Sequence, residues 1–110
     1  MIPILPIGRL VVEAAAATGL RAAEIIGTGR RNDLVYARWA ITWASRQKTI
    51  ASFPQIGRVL HRDHTTLVAG VQRARELRER HAGFRALCDR LAASIEAPAP
   101  DNLNSGTAEQ

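Results

Sequence analysis

The segment Arg62-Asp63-His64-Thr65-Thr66 places five side chains suited to nucleic acid at consecutive positions. An aspartate can accept a hydrogen bond from a cytosine amino group, and a threonine can contact a thymine methyl group or donate to a phosphate. The pattern of residues 52–60 and 65–80 predicts two helices joined by a tight turn, and the second helix begins within this segment. In such a helix-turn-helix the first helix braces the second, whose amino end enters the major groove of DNA.

The same residues also have a purely structural interpretation. Asp63 or Thr65 can cap the helix that starts near Thr65, just as Ser52 is the predicted N-cap of the preceding helix. Pro54 then falls in the first turn, where proline is tolerated. Capping and DNA contact are compatible, since different residues can perform each task, and the segment by itself leaves both open.

The surrounding pattern predicts an all-α fold, a compact domain of about six helices that contains the helix-turn-helix. Further helices are predicted over residues 8–18, 21–26, 33–49 and 83–97. Asn32 or Asp33 is the predicted cap of the long third helix, whose apolar stripe leaves Arg38 and Arg46 to reach solvent or a ligand. Gly83 is expected to separate the last two helices, although near-heptad spacing also allows one long helix.

Domain boundaries follow from composition. Residues 1–7, which contain two prolines, are predicted to form an N-terminal arm, and residues 8–97 the helical DNA-binding domain. Residues 98–110, rich in proline, asparagine, serine and glycine, are predicted to form a disordered tail. The last helix is expected to pack on the domain, with a dimer or partner surface as the alternative.

The charge is strongly basic. Residues 1–97 carry 15 basic and eight acidic side chains, a net charge of +7, and 14 of the 15 basic residues are arginine. Arginine binds phosphates and guanine edges through two donors at once, which favours a polyanionic partner. The alternative is that the charge serves solubility alone. No apolar run is long enough to cross a membrane, so a cytoplasmic location at the nucleoid is expected.

Other reactive side chains suggest no second chemistry. The histidines and Asp63 lack zinc-site spacing, so no metal and no cofactor is expected. Cys88 lies on the apolar face of the last helix and is predicted to be buried. Trp39 and Trp43 are predicted to be core residues rather than base-stacking platforms. Glu76 and Glu79 interleave the arginines of the fifth helix, which predicts a partly salt-bridged face.

Two strings together, Ser52-Phe53-Pro54-Gln55-Ile56-Gly57 and Arg62-Asp63-His64-Thr65-Thr66-Leu67, resemble the C-terminal DNA-binding domain of the bacterial replication initiator DnaA. The resemblance extends from about Val11 to about Ile95. It implies that Arg30 enters the minor groove and that Asp63, His64 and Thr65 read bases in the major groove. It also implies contacts at or near the phosphate backbone from six residues: Arg38, Arg46, Pro54, Arg62, Thr66 and Arg73.

The chain departs from that family in three ways. The turn before Arg62 is one residue shorter, with His61 where the family usually has two glycines. Trp39 replaces a common glutamine. No G-x-x-x-x-G-K-[ST] string occurs, so the sequence indicates the DNA reader without the ATPase, and no enzyme activity is expected.

The favoured function is transcription regulation through sequence-specific binding of double-stranded DNA. The resemblance suggests a regulator of the prophage or gene-transfer-agent type, acting with a separate partner such as RNA polymerase or a sigma-like protein. One alternative is a replication accessory that binds or competes for initiator sites. Another, from a different class, is a helical protein-interaction adaptor.

Overall fold

A computed structural model of the chain describes residues 4–96, with side chains over residues 7–95. Over this part of the chain it contains six α-helices and no strand, so the all-α prediction is confirmed. The helices are α1 (Ile4–Thr18), α2 (Ala22–Ile25), α3 (Asn32–Lys48), α4 (Phe53–Leu60), α5 (His64–Arg80) and α6 (Ala82–Glu96). The predicted tail, residues 98–110, lies outside the described residues.

The start of α1 differs from the prediction. The helix begins at Ile4 rather than Gly8, and Ile7 is fully buried in the core. The predicted arm is therefore wrong for residues 4–7. Pro6 stands in the first turn, where backbone N–H groups have no partner within the helix, so proline there does not prevent helix formation.

Helix α3 lies at the centre of the domain and packs most extensively against α5 and α6. Its predicted apolar stripe is confirmed, because all five residues are buried: Leu34, Ala37, Ala40, Ile41 and Ala44. Helix α6 adds Phe84, Cys88 and Leu91 to the same core, so the prediction that the last helix packs on the domain is confirmed. Burial raises the pKa of the Cys88 thiol to about 11.

The break between α5 and α6 falls at His81, and Gly83 lies inside α6. The Nδ1 atom of His81 accepts a hydrogen bond from the Phe84 backbone N–H at 2.9 Å, as an N-cap side chain does. The expected break at Gly83 and the alternative of one long helix are both wrong, because the histidine side chain caps the new helix.

The part of the chain that the structure describes contains neither a membrane-spanning helix nor a cluster of metal-binding side chains. No helix among them is long and apolar enough to cross a bilayer. Within the same residues, no three histidine, cysteine, aspartate or glutamate side chains come together as metal ligands would.

Candidate nucleic-acid interface

Helix α4 starts with the predicted cap. The Ser52 hydroxyl accepts a hydrogen bond from the Gln55 backbone N–H at 3.3 Å, and the Gln55 side-chain oxygen accepts one from the Ser52 N–H at 2.8 Å. This reciprocal pair satisfies two donors that the first turn of the helix leaves free. Pro54 lies in that first turn and is exposed. The cap therefore stabilises the end of α4 where Pro54 lies, one of the residues predicted to contact the DNA backbone.

The turn between α4 and α5 depends on very close backbone packing. Its first residue, His61, adopts a left-handed conformation with φ 55°, and the Arg62 N–H donates to the Gly57 carbonyl at 2.9 Å. A Cβ atom at position 57 would lie only 2.4 Å from the Arg62 carbonyl oxygen. Only glycine permits this approach, so Gly57 sets how closely the start of α5 sits against α4.

Helix α5 begins at His64, with Asp63 in the N-cap position. The Asp63 side chain makes no capping bond to the backbone; it accepts a hydrogen bond from the Thr65 hydroxyl instead. That bond keeps the pKa of Asp63 below its usual value, so the carboxylate is charged at neutral pH. The predicted side-chain cap is therefore not formed, and three side chains predicted to read bases, those of Asp63, His64 and Thr65, are exposed at one helix end.

Arg38 occupies a different environment from the predicted one. It is only 6% exposed, and its guanidinium donates to four backbone carbonyls, two in α2 and two in the loop between α2 and α3. The acceptors are the carbonyls of Ile25 at 2.6 Å, Gly29 at 2.7 Å, Gly27 at 3.1 Å and Glu24 at 3.2 Å. The prediction that Arg38 reaches solvent is wrong, because α2 and the loop that follows it pack over α3, and the guanidinium donates to their carbonyls.

Arg62 joins that loop to the helix-turn-helix. Its guanidinium donates to the Gly27 carbonyl, which also accepts from Arg38, and to the carbonyl of its neighbour His61 at 3.0 Å. Burial, and secondarily the nearby Arg62 charge, lowers the pKa of Arg38. Two segments 35 residues apart in sequence are thereby linked through one carbonyl group.

The two arginines at the end of the loop between α2 and α3, residues 26–31, which we call the hinge, differ in their partners. Arg30 is exposed and makes no hydrogen bond or ion pair among the described residues, whereas Arg31 binds Asp33 at 3.2 Å and approaches Glu24 at 3.9 Å. The N-cap position of α3 is Arg31, and Asp33 accepts from the Leu34 N–H at 2.8 Å instead of capping from outside the helix. The predicted caps of α3 are therefore wrong by one or two residues.

A cavity of about 440 Å³ lies between the hinge and α5. Its floor is largely apolar and three guanidinium groups stand around it, with no carboxylate among the lining residues. The lining residues are Thr28, Arg30, Val35, Arg38, Trp39, Arg62, Thr66 and Leu67. The structure thus brings Arg30, Arg62 and Thr66, three residues predicted to contact DNA, to one concave surface.

Trp39 and Trp43 are both partly buried against the core, as predicted, but they face different surroundings. Trp39 lines the cavity and packs against Gly70 of α5, where a Cβ atom would lie 3.0 Å from its ring. Trp43 lies beneath the Arg78 guanidinium, 4.1 Å from the ring centre. The sequence pattern did not predict that Trp39 lines the cavity. The signal that could have indicated it is the tryptophan at a position where the family commonly has glutamine.

Arg46 and Arg73 lie away from this cavity. Arg46, at the end of α3, donates to the Ala51 carbonyl at 2.8 Å and stacks over the Phe53 ring at 4.7 Å. Arg73 is exposed on the third turn of α5, with no hydrogen bond or ion pair among the described residues. The predicted backbone-contacting residues therefore occupy several separate positions around the helix-turn-helix.

A second, more open groove of about 470 Å³ runs along α4 to the start of α5. It brings Pro54 and Arg62 together with Asp63 and His64. Sequence reasoning assigned no role to its remaining side chains, Arg58 and His61, which the helical spacing from Pro54 could have revealed.

Comparison with known proteins supports this description of the helix-turn-helix. The family described as the bacterial DnaA protein helix-turn-helix matches residues 9–74, which include both α4 and the amino end of α5. Two relatives, the chromosomal replication initiator proteins DnaA from two strains of Thermus thermophilus, are each 39% identical over 62 residues. The aligned part is 56% of this chain but spans only 14% of either relative. On this match, which covers more than half of its length, the chain belongs to the helix-turn-helix family of bacterial DnaA proteins.

Proposed function

We propose that this chain reads double-stranded DNA in a sequence-specific manner, with the amino end of α5 in the major groove and Arg30 in the adjacent minor groove. In this proposal α5 is the recognition helix and its amino end is the recognition end. The observation that carries the proposal is the exposed set Asp63, His64 and Thr65 at one helix end. Aspartate accepts from cytosine, threonine contacts thymine methyls, and a flexible arginine suits a narrow minor groove. The family match supports DNA binding by this motif.

The backbone contacts would come from residues that surround this end. Thr66 and Arg62 line the cavity beside Arg30, Pro54 stands at the start of α4, and Arg73 extends from the third turn of α5. Arg46 would add a further cation from the end of α3. Such contacts fix the register of the protein on the duplex, and the base contacts select the sequence.

Arg38 has a different role in this proposal. Its four bonds to backbone carbonyls use the guanidinium inside the protein, so it acts as a positioning residue. By holding residues 24–29 against α3, it holds Arg30 at the rim of the cavity. The resemblance implies a backbone contact from this position. In this chain Arg38 would instead support DNA binding indirectly, by holding the hinge that carries Arg30.

The test is a duplex selection followed by titration. Selection from random duplexes should return a preferred sequence, and fluorescence anisotropy then measures affinity for that duplex and for a scrambled one. We expect His64→Ala and Thr65→Ala each to cost about 1–3 kcal/mol on the preferred duplex and little on the scrambled duplex. If both variants kept the wild-type sequence preference, the assignment of the recognition helix would be wrong.

We propose transcription regulation as the biological role, with RNA polymerase or a sigma-like protein as a partner. A DNA reader can recruit or block polymerase without hydrolysing a nucleotide, and these 110 residues contain no phosphate-binding G-x-x-x-x-G-K-[ST] loop. Chromatin immunoprecipitation of the chain should give peaks at promoters.

A replication accessory is the second candidate, favoured by the names of the two relatives, which are replication initiators. In that case the immunoprecipitation peaks would lie at the replication origin. A helical adaptor with incidental charge would instead show no affinity for any duplex even at low salt, where phosphate contacts are strongest.

A further inference from the structure

The outward face of α4 carries two basic side chains, Arg58 and His61, to which no function has been assigned. Pro54, Arg58 and His61 are spaced by four and three residues, so they share one face of the helix and its C-cap. All three line the open groove that ends at His64. This face thus continues the proposed DNA surface away from the recognition helix.

Arg58 is exposed in this groove and makes no hydrogen bond or ion pair among the described residues. Its neighbours along the groove include Arg62 and His64, whereas the one carboxylate lining the groove, Asp63, accepts from Thr65 and lies 3.9 Å from the His64 ring nitrogen. The nearby acid is thus engaged with other groups. A guanidinium among other basic side chains favours an external anion.

The backbone conformation of His61 is a second unusual feature of this face. With φ 55° it lies in the left-handed region, and it is the one residue other than glycine to do so in the described part of the chain. Helices that end in this left-handed conformation usually do so at a glycine, because a Cβ atom makes the conformation unfavourable. Residues in such sparsely populated backbone conformations cluster at functional sites, which motivates a test of His61.

We propose that Arg58 and His61 hold a backbone phosphate of the DNA strand that borders the major groove, on the α4 side of the recognition helix. The inference rests on the proposed function, since it requires α5 to lie in the major groove. The first helix of a helix-turn-helix crosses the DNA backbone, so basic side chains on its outward face, as hydrogen-bond donors, meet phosphates rather than base edges. Together with Pro54 they form one continuous edge, which we call the α4 edge.

The test of Arg58 uses the full chain and fluorescence anisotropy on the selected and scrambled duplexes at several KCl concentrations. Arg58→Ala should weaken binding to both duplexes by a similar factor, about three- to tenfold, and reduce the salt slope by about one. Arg80→Ala is the matched control: it removes the same charge from an exposed position about 24 Å along α5 from His64 and should change neither quantity. A loss confined to the selected duplex would overturn the phosphate assignment.

His61→Gly separates function from folding, because it should change stability and affinity in opposite directions. Glycine removes the strain, so the urea midpoint should rise, while affinity for both duplexes falls about two- to fivefold. A higher midpoint with unchanged or improved affinity would overturn the role of His61. If the wild-type chain bound no duplex, the proposed function itself would fail; if it bound and Arg58→Ala and His61→Gly bound equally well, only the α4 edge would be refuted.

Discussion

The arginines near the recognition end of α5 and those near its other end differ in what they contact. Arg30, Arg58 and Arg73 are exposed and make no ion pair among the described residues. Around the junction of α5 with α6, Arg78 binds Asp89 at 2.9 Å, and Arg85 donates to the Arg78 carbonyl at 2.6 Å. Arg78 and Arg85 thus join α5 to α6, whereas the three arginines near the recognition end keep their guanidinium groups free for a ligand; Arg80, beside the junction, is also exposed and unpaired among the described residues.

This contrast shows that the basic charge is not uniformly a DNA-binding surface. The paired arginines contribute to net charge but have partners already, and Arg38 is a third case, buried and bonded to carbonyls. The expectation that Glu76 and Glu79 would pair with the arginines of α5 is not met in the described residues, since Arg78 pairs with Asp89 of α6. Arg30, Arg58 and Arg73 are therefore the arginines of the proposed DNA surface whose guanidinium groups have no partner among the described residues.

The strongest test of the contrast removes the buried arginine. Arg38→Ala should lower the free energy of unfolding by about 3 kcal/mol, because four carbonyls lose a charged donor and the core loses packing. Urea denaturation followed by circular dichroism measures the loss. Arg73→Ala, the exposed control, should change stability by less than about 0.5 kcal/mol. Equal effects of the two variants would contradict the distinction between them.

The next largest effect is expected at the tight turn. Gly57→Ala should cost about 2 kcal/mol of stability, since its Cβ atom would lie 2.4 Å from the Arg62 carbonyl and force α4 and α5 apart. Gly8→Ala is the matched control, because among the described residues no atom outside its chain neighbours and its own helix backbone lies within 4 Å of a Cβ there, and alanine in a helix should stabilise by up to about 1 kcal/mol. A tolerated Gly57→Ala, measured by the same denaturation, would show that the turn can relax.

A smaller effect, on DNA binding alone, is expected for a free arginine. Arg73→Ala should weaken all duplexes by about 1 kcal/mol and reduce the salt slope by about one, because one phosphate contact and its released counterion are lost. Anisotropy titrations in a series of KCl concentrations check this, with Arg80→Ala as the distant control. Sequence-dependent losses would argue for a base contact instead.

The smallest effect is expected for a paired arginine on the scaffold. Arg90 binds Glu13 at 2.8 Å between α6 and α1, with both side chains partly exposed. Arg90→Ala should lower stability by no more than about 0.5 kcal/mol and leave DNA affinity unchanged, since exposed ion pairs contribute little. A double-mutant cycle with Glu13→Ala isolates the pair. A marked loss of DNA affinity would place α6 in the interface.

Much of the fold followed from local patterns, and the errors have local physical causes. The stripe of α3, the Ser52 cap and the number of helices were all predicted, because helical periodicity and capping residues act over a few positions. The break at His81 was assigned to Gly83, since a histidine side chain that caps a helix resembles any surface histidine in sequence. The exposed residues at the start of α5 were placed by the same local reasoning.

By itself the sequence determined where the helices lie, which helix end presents Asp63, His64 and Thr65, and which family the motif resembles. Tertiary structure decided which arginines are free. Arg38 bonds to carbonyls 9 to 14 residues away, Arg62 to one 35 residues away, and Arg90 to Glu13 across 77 residues. Spacing along the chain carries no information about such contacts, because they exist only after packing brings distant segments within hydrogen-bond distance.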